Sequence, residues 1–103
     1  MTAEQLERHL HNGAAPIVFD VRSRFEYTSG HIPGAIHAPL AGVLKAAEAA
    51  TECKQDLLVI VCEHGPRAQL ARMFLKLRGY NNLQLLEGHM SRWRNSERPL
   101  QLD

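Results

Sequence analysis

Five consecutive apolar residues, Leu57-Leu58-Val59-Ile60-Val61, run straight into Cys62-Glu63-His64-Gly65 and then into Pro66-Arg67-Ala68. A short continuous apolar run of this kind fits a parallel strand buried on both faces. Pro66 suits the first position of a helix, where an N–H has no partner to lose. The stretch therefore predicts a strand, a tight loop and a helix in succession. Such a unit builds an anion site, because the loop N–H groups converge on one point and the helix dipole adds partial positive charge there. A thiolate at Cys62, and any negative group it carries, is stabilised in that setting, which makes Cys62 a candidate nucleophile.

The rest of the chain alternates helical and strand patterns, which predicts an α/β fold with a mainly parallel central sheet and helices on both faces. Thr2 is placed to cap a first helix running to about His11, with Gln5 completing a capping box and Gly13 just past its end. Pro16 opens a strand over Ile17 to Asp20, Ser23 to Ser29 reads as one or two helical turns, and Ala35 to Ala38 as a short strand. An alanine-rich helix is expected over Gly42 to Ala50. The helix opened by Pro66 runs to about Arg78, where Gly79 stops it. Within it Leu70, Met73, Phe74 and Leu77 recur at helical spacing, so that stripe is predicted to face the sheet, with Arg72, Lys76 and Arg78 toward water. A last strand over Leu83 to Leu86, a last helix over Gly88 to Asn95 and a short tail from Pro99 complete the pattern.

The 103 residues suit one hydrophobic core, so residues 1–103 are read as a single domain. Twelve Lys and Arg stand against eleven Asp and Glu, a balance that offers no electrostatic case for nucleic acid. No segment approaches the ~20 apolar residues of a bilayer span or the pattern of a signal peptide, and a cytoplasmic location is expected. A reducing compartment is the simplest setting in which Cys53 and Cys62 both remain thiols. The six histidines show no tight ligand spacing with cysteine, so no metal is expected.

The spacing around Cys62 narrows the chemistry. Cysteine phosphatases place five residues between the nucleophile and the arginine that holds the phosphoryl oxygens. Here four residues separate Cys62 from Arg67, and position 68 is Ala. The tighter ring suits a smaller group, a single sulfur atom carried on Cys62.

Four segments in order carry a resemblance to the rhodanese family of sulfurtransferases: Phe19-Asp20-Val21-Arg22 with Glu26-Tyr27, Gly30-His31-Ile32-Pro33-Gly34-Ala35-Ile36, Cys62 to Arg67, and Leu86-Glu87-Gly88 with Met90 and Trp93. The resemblance runs the length of the chain. It implies a three-layer rhodanese-like domain with Cys62 as catalytic residue and Glu63, His64, Gly65, Pro66 and Arg67 as the active-site loop. Asp20 and Arg22, at the C-terminal end of the first predicted strand, fall at the sheet edge where ligand crevices form. They either touch the site or form an ion-pair network, Arg22 with Glu26 or Asp20, that fixes the short helix beside the loop.

A thiolate so placed attacks the outer sulfur of thiosulfate or a persulfide and keeps it as Cys–S–SH, and a thiophilic acceptor then removes it. The acceptor is cyanide, a small thiol or a protein thiol, and no cofactor is required. Arg67 either meets the donor's oxyanion or braces the loop from outside. Glu63 opposes a dianionic donor if its carboxylate points inward, and His89 stands where the family commonly has a second glycine. Solvent exposure is expected for both His64 and His89, and a framework role for His31. The alternatives are a non-catalytic rhodanese-like module that binds a protein partner through the loop and the Arg72, Lys76 and Arg78 surface, and, less well fitted to the loop, a cysteine phosphatase or arsenate reductase.

Overall fold

The computed structural model describes residues 1–102. In chain order the elements are α1 (Ala3–His11), β1 (Ile17–Asp20), α2 (Arg24–Thr28), β2 (Ile36–His37), a 3₁₀ turn (Leu40–Gly42), α3 (Val43–Ala50), β3 (Leu58–Val61), α4 (Pro66–Leu77), β4 (Leu83–Leu85) and α5 (His89–Asn95). The four strands form one sheet in the order β2-β1-β3-β4, and every pairing is parallel. This is the α/β architecture that the alternating pattern predicts, with each strand within a residue or two of its expected bounds. No helix among the described residues is long and apolar enough to cross a membrane.

Local chemistry accounts for the helix starts. Thr2 Oγ1 accepts from the Gln5 N–H at 3.1 Å while Gln5 Oε1 accepts from the Thr2 N–H at 2.9 Å, closing the predicted capping box of α1. Ser23 and Glu26 form a second box at α2. α4 begins on Pro66, after Gly65 at φ +126°, a backbone conformation that side chains rarely adopt.

The sheet separates two apolar layers, and the period of two along each strand assigns its residues between them. Phe19, Leu58, Ile60 and Cys62 share one layer with Val43 and Ala47 of α3 and Ala68, Ala71 and Leu75 of α4. Val18, Val59 and Val61 share the other with Leu6 of α1 and Met90 and Trp93 of α5. β3 is buried along its whole length, as its unbroken apolar sequence requires.

The orientation of α4 corrects the expectation from its larger side chains. Ala68, Ala71 and Leu75 are fully buried against the sheet, whereas Leu70, Met73, Phe74 and Leu77 lie on the outside, Leu77 at 78% exposure. The residues at 68, 71 and 75 also recur at helical spacing, so the helix carries two apolar stripes. α3 and α4 pack on one side of the sheet against Phe19, Leu58 and Ile60. Small residues let the α4 backbone come close there, and close packing takes precedence over the bulk of the side chains.

The chain after α5 turns back onto the body. The Trp93 indole N–H donates to the Pro99 carbonyl at 2.7 Å, and His31 and Gln101 exchange backbone hydrogen bonds at 3.0 and 2.8 Å. The predicted short tail is thus paired, through Gln101, to the loop before β2.

Candidate active site

β3 ends at Val61 and leaves Cys62 at the C-terminal edge of the sheet, fully buried, on the same face as Ile60. The chain turns through Glu63, His64 and Gly65 into the N-terminus of α4. The Gly65 N–H donates to Cys62 Sγ at 2.9 Å. The loop therefore curls around the sulfur and directs a backbone donor at it, with the positive end of a twelve-residue helix immediately behind.

A second clamp fixes the loop from below. The Cys62 carbonyl accepts from the Met90 N–H at 3.0 Å, the Glu63 carbonyl from the Ser91 N–H at 3.2 Å, and the Cys62 N–H donates to His89 Nδ1 at 3.2 Å. The start of α5 thus satisfies backbone groups that neither β3 nor α4 pairs. Gly88, at φ +77°, makes the turn that brings it there, and a Cβ at this position would lie 2.4 Å from Cβ of Arg92.

Asp20 and Arg22 are both buried beside the loop. Arg22 Nε and Nη2 donate to the two oxygens of the Asp20 carboxylate at 2.9 and 2.8 Å, and Nη2 also donates to the Gly30 carbonyl at 2.9 Å. Burial works against the Arg22 charge, but its hydrogen bond and attraction to Asp20, with Glu63 and Glu26 adding to them, raise its pKa above the usual arginine value. Of the two acidic partners open to Arg22 in the sequence, Asp20 is the one it bonds directly.

Glu63 lies between two guanidinium groups. Its carboxylate accepts from Arg22 Nη1 at 3.4 Å and from Arg94 Nη2. The negative charge next to the nucleophile is therefore tied to two cations at the loop's edge. Arg67 bonds the Glu26 carboxylate through both terminal nitrogens, at 2.7 and 3.0 Å. That pair holds Glu26 down at about 2 and raises Arg67, in each case chiefly through the hydrogen bonds between them.

His64 is exposed, as expected, but His89 is buried, contrary to the expectation of solvent exposure. Burial, with a smaller contribution from His64, lowers the His89 pKa. Sequence reasoning also missed Arg94 and the Glu26 partner of Arg67. The one available signal for His89 was its departure from glycine after Gly88. His31 Nδ1 lies 2.8 Å from the Tyr27 carbonyl and its ring stacks on Tyr27, which places it in the framework of the α2 turn. Among the described residues, no group of three His, Cys, Asp or Glu side chains is placed to hold a metal.

A cysteine delivered by a central parallel strand to a tight loop at a helix N-terminus is an α/β site built around one sulfur atom. The chain belongs to the rhodanese-like domain family, whose model matches residues 2–96. It is 33% identical over 79 residues to the adenylyltransferase and sulfurtransferase uba4 of Ogataea parapolymorpha, a match covering 77% of this chain and 20% of that protein. It is 29% identical over 83 residues to the thiosulfate sulfurtransferase GlpE of Pseudomonas fluorescens, covering 78% of this chain and 72% of that one. The chain thus spans a fifth of the first relative and nearly three quarters of the second. The crystal structure of the Alr3790 protein from Anabaena sp. matches with a TM-score of 0.91 at 25% identity, over the whole of this chain and 82% of that one.

Proposed function

We propose that this protein is a sulfurtransferase that carries sulfane sulfur on Cys62 as a persulfide. The observation that carries the reading is the Gly65 N–H aimed at Cys62 Sγ from 2.9 Å at the start of α4. The names of the two relatives, both sulfurtransferases, agree with it.

In the first half-reaction the Cys62 thiolate attacks the outer sulfur of the donor. With thiosulfate, the S–S bond of the donor breaks and sulfite leaves with its electron pair, giving Cys62–S–S⁻. A thiophilic acceptor such as cyanide or a thiol then attacks the outer sulfur, and the Cys62 thiolate is regenerated. The negative charge stays in the loop throughout, where preorganised backbone donors and the α4 dipole stabilise it without reorganisation. Neither half-reaction calls for a metal or organic cofactor. Cys62 is fully buried, and His64 two positions on is the exposed residue of the loop through which a donor would approach.

Arg67 serves as a brace in this reading, its guanidinium engaged by Glu26 rather than turned to the donor. Arg22 and Asp20 support the loop from the β1 side. Glu63, neutralised by Arg22 and Arg94, does not exclude a dianion, so thiosulfate and persulfides both remain suitable donors. The single 1–103 domain and a cytoplasmic setting, where the thiol stays reduced, belong to the same proposal.

The test is to mix reduced protein with excess thiosulfate, remove the donor and weigh the intact chain. A gain of about 32 Da on wild type and none on Cys62→Ala is expected, the mass of one sulfur held on the nucleophile. Absence of any gain from thiosulfate and from a small persulfide alike refutes the proposal.

A second reading rests on the outer stripe of α4. Leu70, Met73, Phe74 and Leu77 are exposed along a helix that starts at the loop and carries Arg72 and Lys76 beside them. A groove of about 1060 Å³ runs beside Leu70 and Met73 of this stripe, bordered also by Pro66, Arg72, Lys76 and Tyr80. Exposed apolar surface rimmed by charge is characteristic of protein docking, and a domain that accepts no sulfur from any donor would favour a binding module.

A further inference from the structure

His89 is the least accounted-for group of the site. It is 7% exposed, sits at φ +50° in the left-handed region, and follows a glycine turn that delivers its ring beneath the loop. A backbone N–H can only donate, so the 3.2 Å bond from the Cys62 amide requires a bare lone pair on Nδ1. In a neutral ring the proton then resides on Nε2. An ideal Cβ built on Gly65 would stand 3.2 Å from that nitrogen, so Nε2 faces the very residue whose N–H holds the sulfur.

We propose that His89 is a positioning residue for Cys62: Nδ1 holds the Cys62 amide, Nε2–H is turned to Gly65, and the ring thereby fixes the loop in the geometry that presents the Gly65 N–H to the sulfur. Its consequence for turnover rests on the sulfur-transfer reading; the holding role does not. The arrangement needs the neutral ring, and the surroundings favour it. Burial opposes a charge on His89, and His64 across the loop opposes it further. The Glu63 carboxylate of the same loop is bonded to Arg94 and Arg22.

The left-handed backbone at position 89 also limits which residue can serve. Asparagine tolerates that conformation better than other side chains, and its amide oxygen reaches about where Nδ1 does. Leucine fills similar space and accepts nothing.

The first measurement is made on wild type and needs no variant. The ¹⁵N resonances of the His89 ring at neutral pH should report an unprotonated Nδ1 and a protonated Nε2; the opposite tautomer, or a doubly protonated ring, overturns the proposal. The second compares His89→Asn and His89→Leu on a Cys53→Ala background, by hydrogen exchange of the Cys62 amide and by the rate of sulfur uptake from thiosulfate. His89→Leu should exchange the amide faster and load sulfur more slowly, each by about tenfold, the scale of one buried donor left without an acceptor. His89→Asn should stay within about threefold of the parent, since it restores the acceptor. Equal rates in all three proteins, or equal losses in both variants, overturn the positioning role. Wild type that shows the expected tautomer and exchange but takes no sulfur refutes the sulfurtransferase reading and leaves the holding role standing.

Discussion

Arg67 and Glu26 lie 41 positions apart in sequence and are joined by two parallel hydrogen bonds, Nη1 to Oε1 at 2.7 Å and Nη2 to Oε2 at 3.0 Å. Glu26 is also the capping-box residue of α2, where Oε1 accepts from the Ser23 N–H at 3.0 Å. One carboxylate thus ties the first turn of α4, and with it the Cys62 loop, to the start of α2. Because the folded protein holds Glu26 at about 2, below its ordinary 4.5, the pair's contribution is full above about 4.5 and is lost as pH falls toward 2. Arg67 is 40% exposed, so solvent screening limits the contribution to about 1 kcal/mol. Urea midpoints measured from pH 7 to pH 2 should show that increment in wild type disappearing across this window, while Glu26→Gln lacks it at every pH.

The Asp20–Arg22 pair should behave differently, because both side chains are out of water. Removing Asp20 leaves the buried Arg22 with only the 3.4 Å contact to Glu63 and the Gly30 carbonyl, and loss of a buried partner costs about 3–5 kcal/mol. Asp20→Ala is therefore expected to lose a large part of the stability of a chain this size, read as a fall in the denaturation midpoint. An unchanged midpoint would mean that Arg22 escapes to solvent.

Two glycines carry the turns that bring α4 and α5 to the sulfur. Gly88→Ala would force a Cβ to 2.4 Å from Arg92 at φ +77°, and a cost of about 1–3 kcal/mol is expected from the strained backbone alone. Gly65→Ala, at φ +126°, presses on His89 Nε2 and should disturb the loop as well. Thermal melts give the first effect, and loss of Cys62 amide protection gives the second.

Two leucines on either side of Lys76 test the orientation of α4. Leu75→Ala removes a fully buried side chain and should destabilise by about 2–5 kcal/mol. Leu77→Gln changes an exposed position and should stay within about 0.5 kcal/mol. Comparable losses at both sites would contradict the packing described above.

Much of this organisation was readable in the order of residues. Thr2 with Gln5 marks the start of α1, the unbroken run before Cys62 marks the central strand, and Pro66 marks the start of α4, because each depends on neighbours a few positions away. The outward turn of Leu70, Met73, Phe74 and Leu77 was not readable in the same way. Two stripes on α4 have helical period, and the spacing does not say which one meets the sheet. The distance between helix and sheet decides it, and that distance is a property of the packed layers.

The same division runs through the site. The sequence by itself determined that a cysteine would stand at the end of a buried parallel strand, in a short loop closed by a helix N-terminus, since strand, glycine, proline and arginine are contiguous. Only the tertiary structure decided what surrounds that loop. Glu26 comes to Arg67, Arg94 to Glu63, and His89 to the Cys62 amide, from 41, 31 and 27 positions away. Local propensity carries no information about such pairs. They form because the crossover connections of a parallel sheet bring distant helix ends to one edge, where buried charges and unpaired backbone groups must find partners.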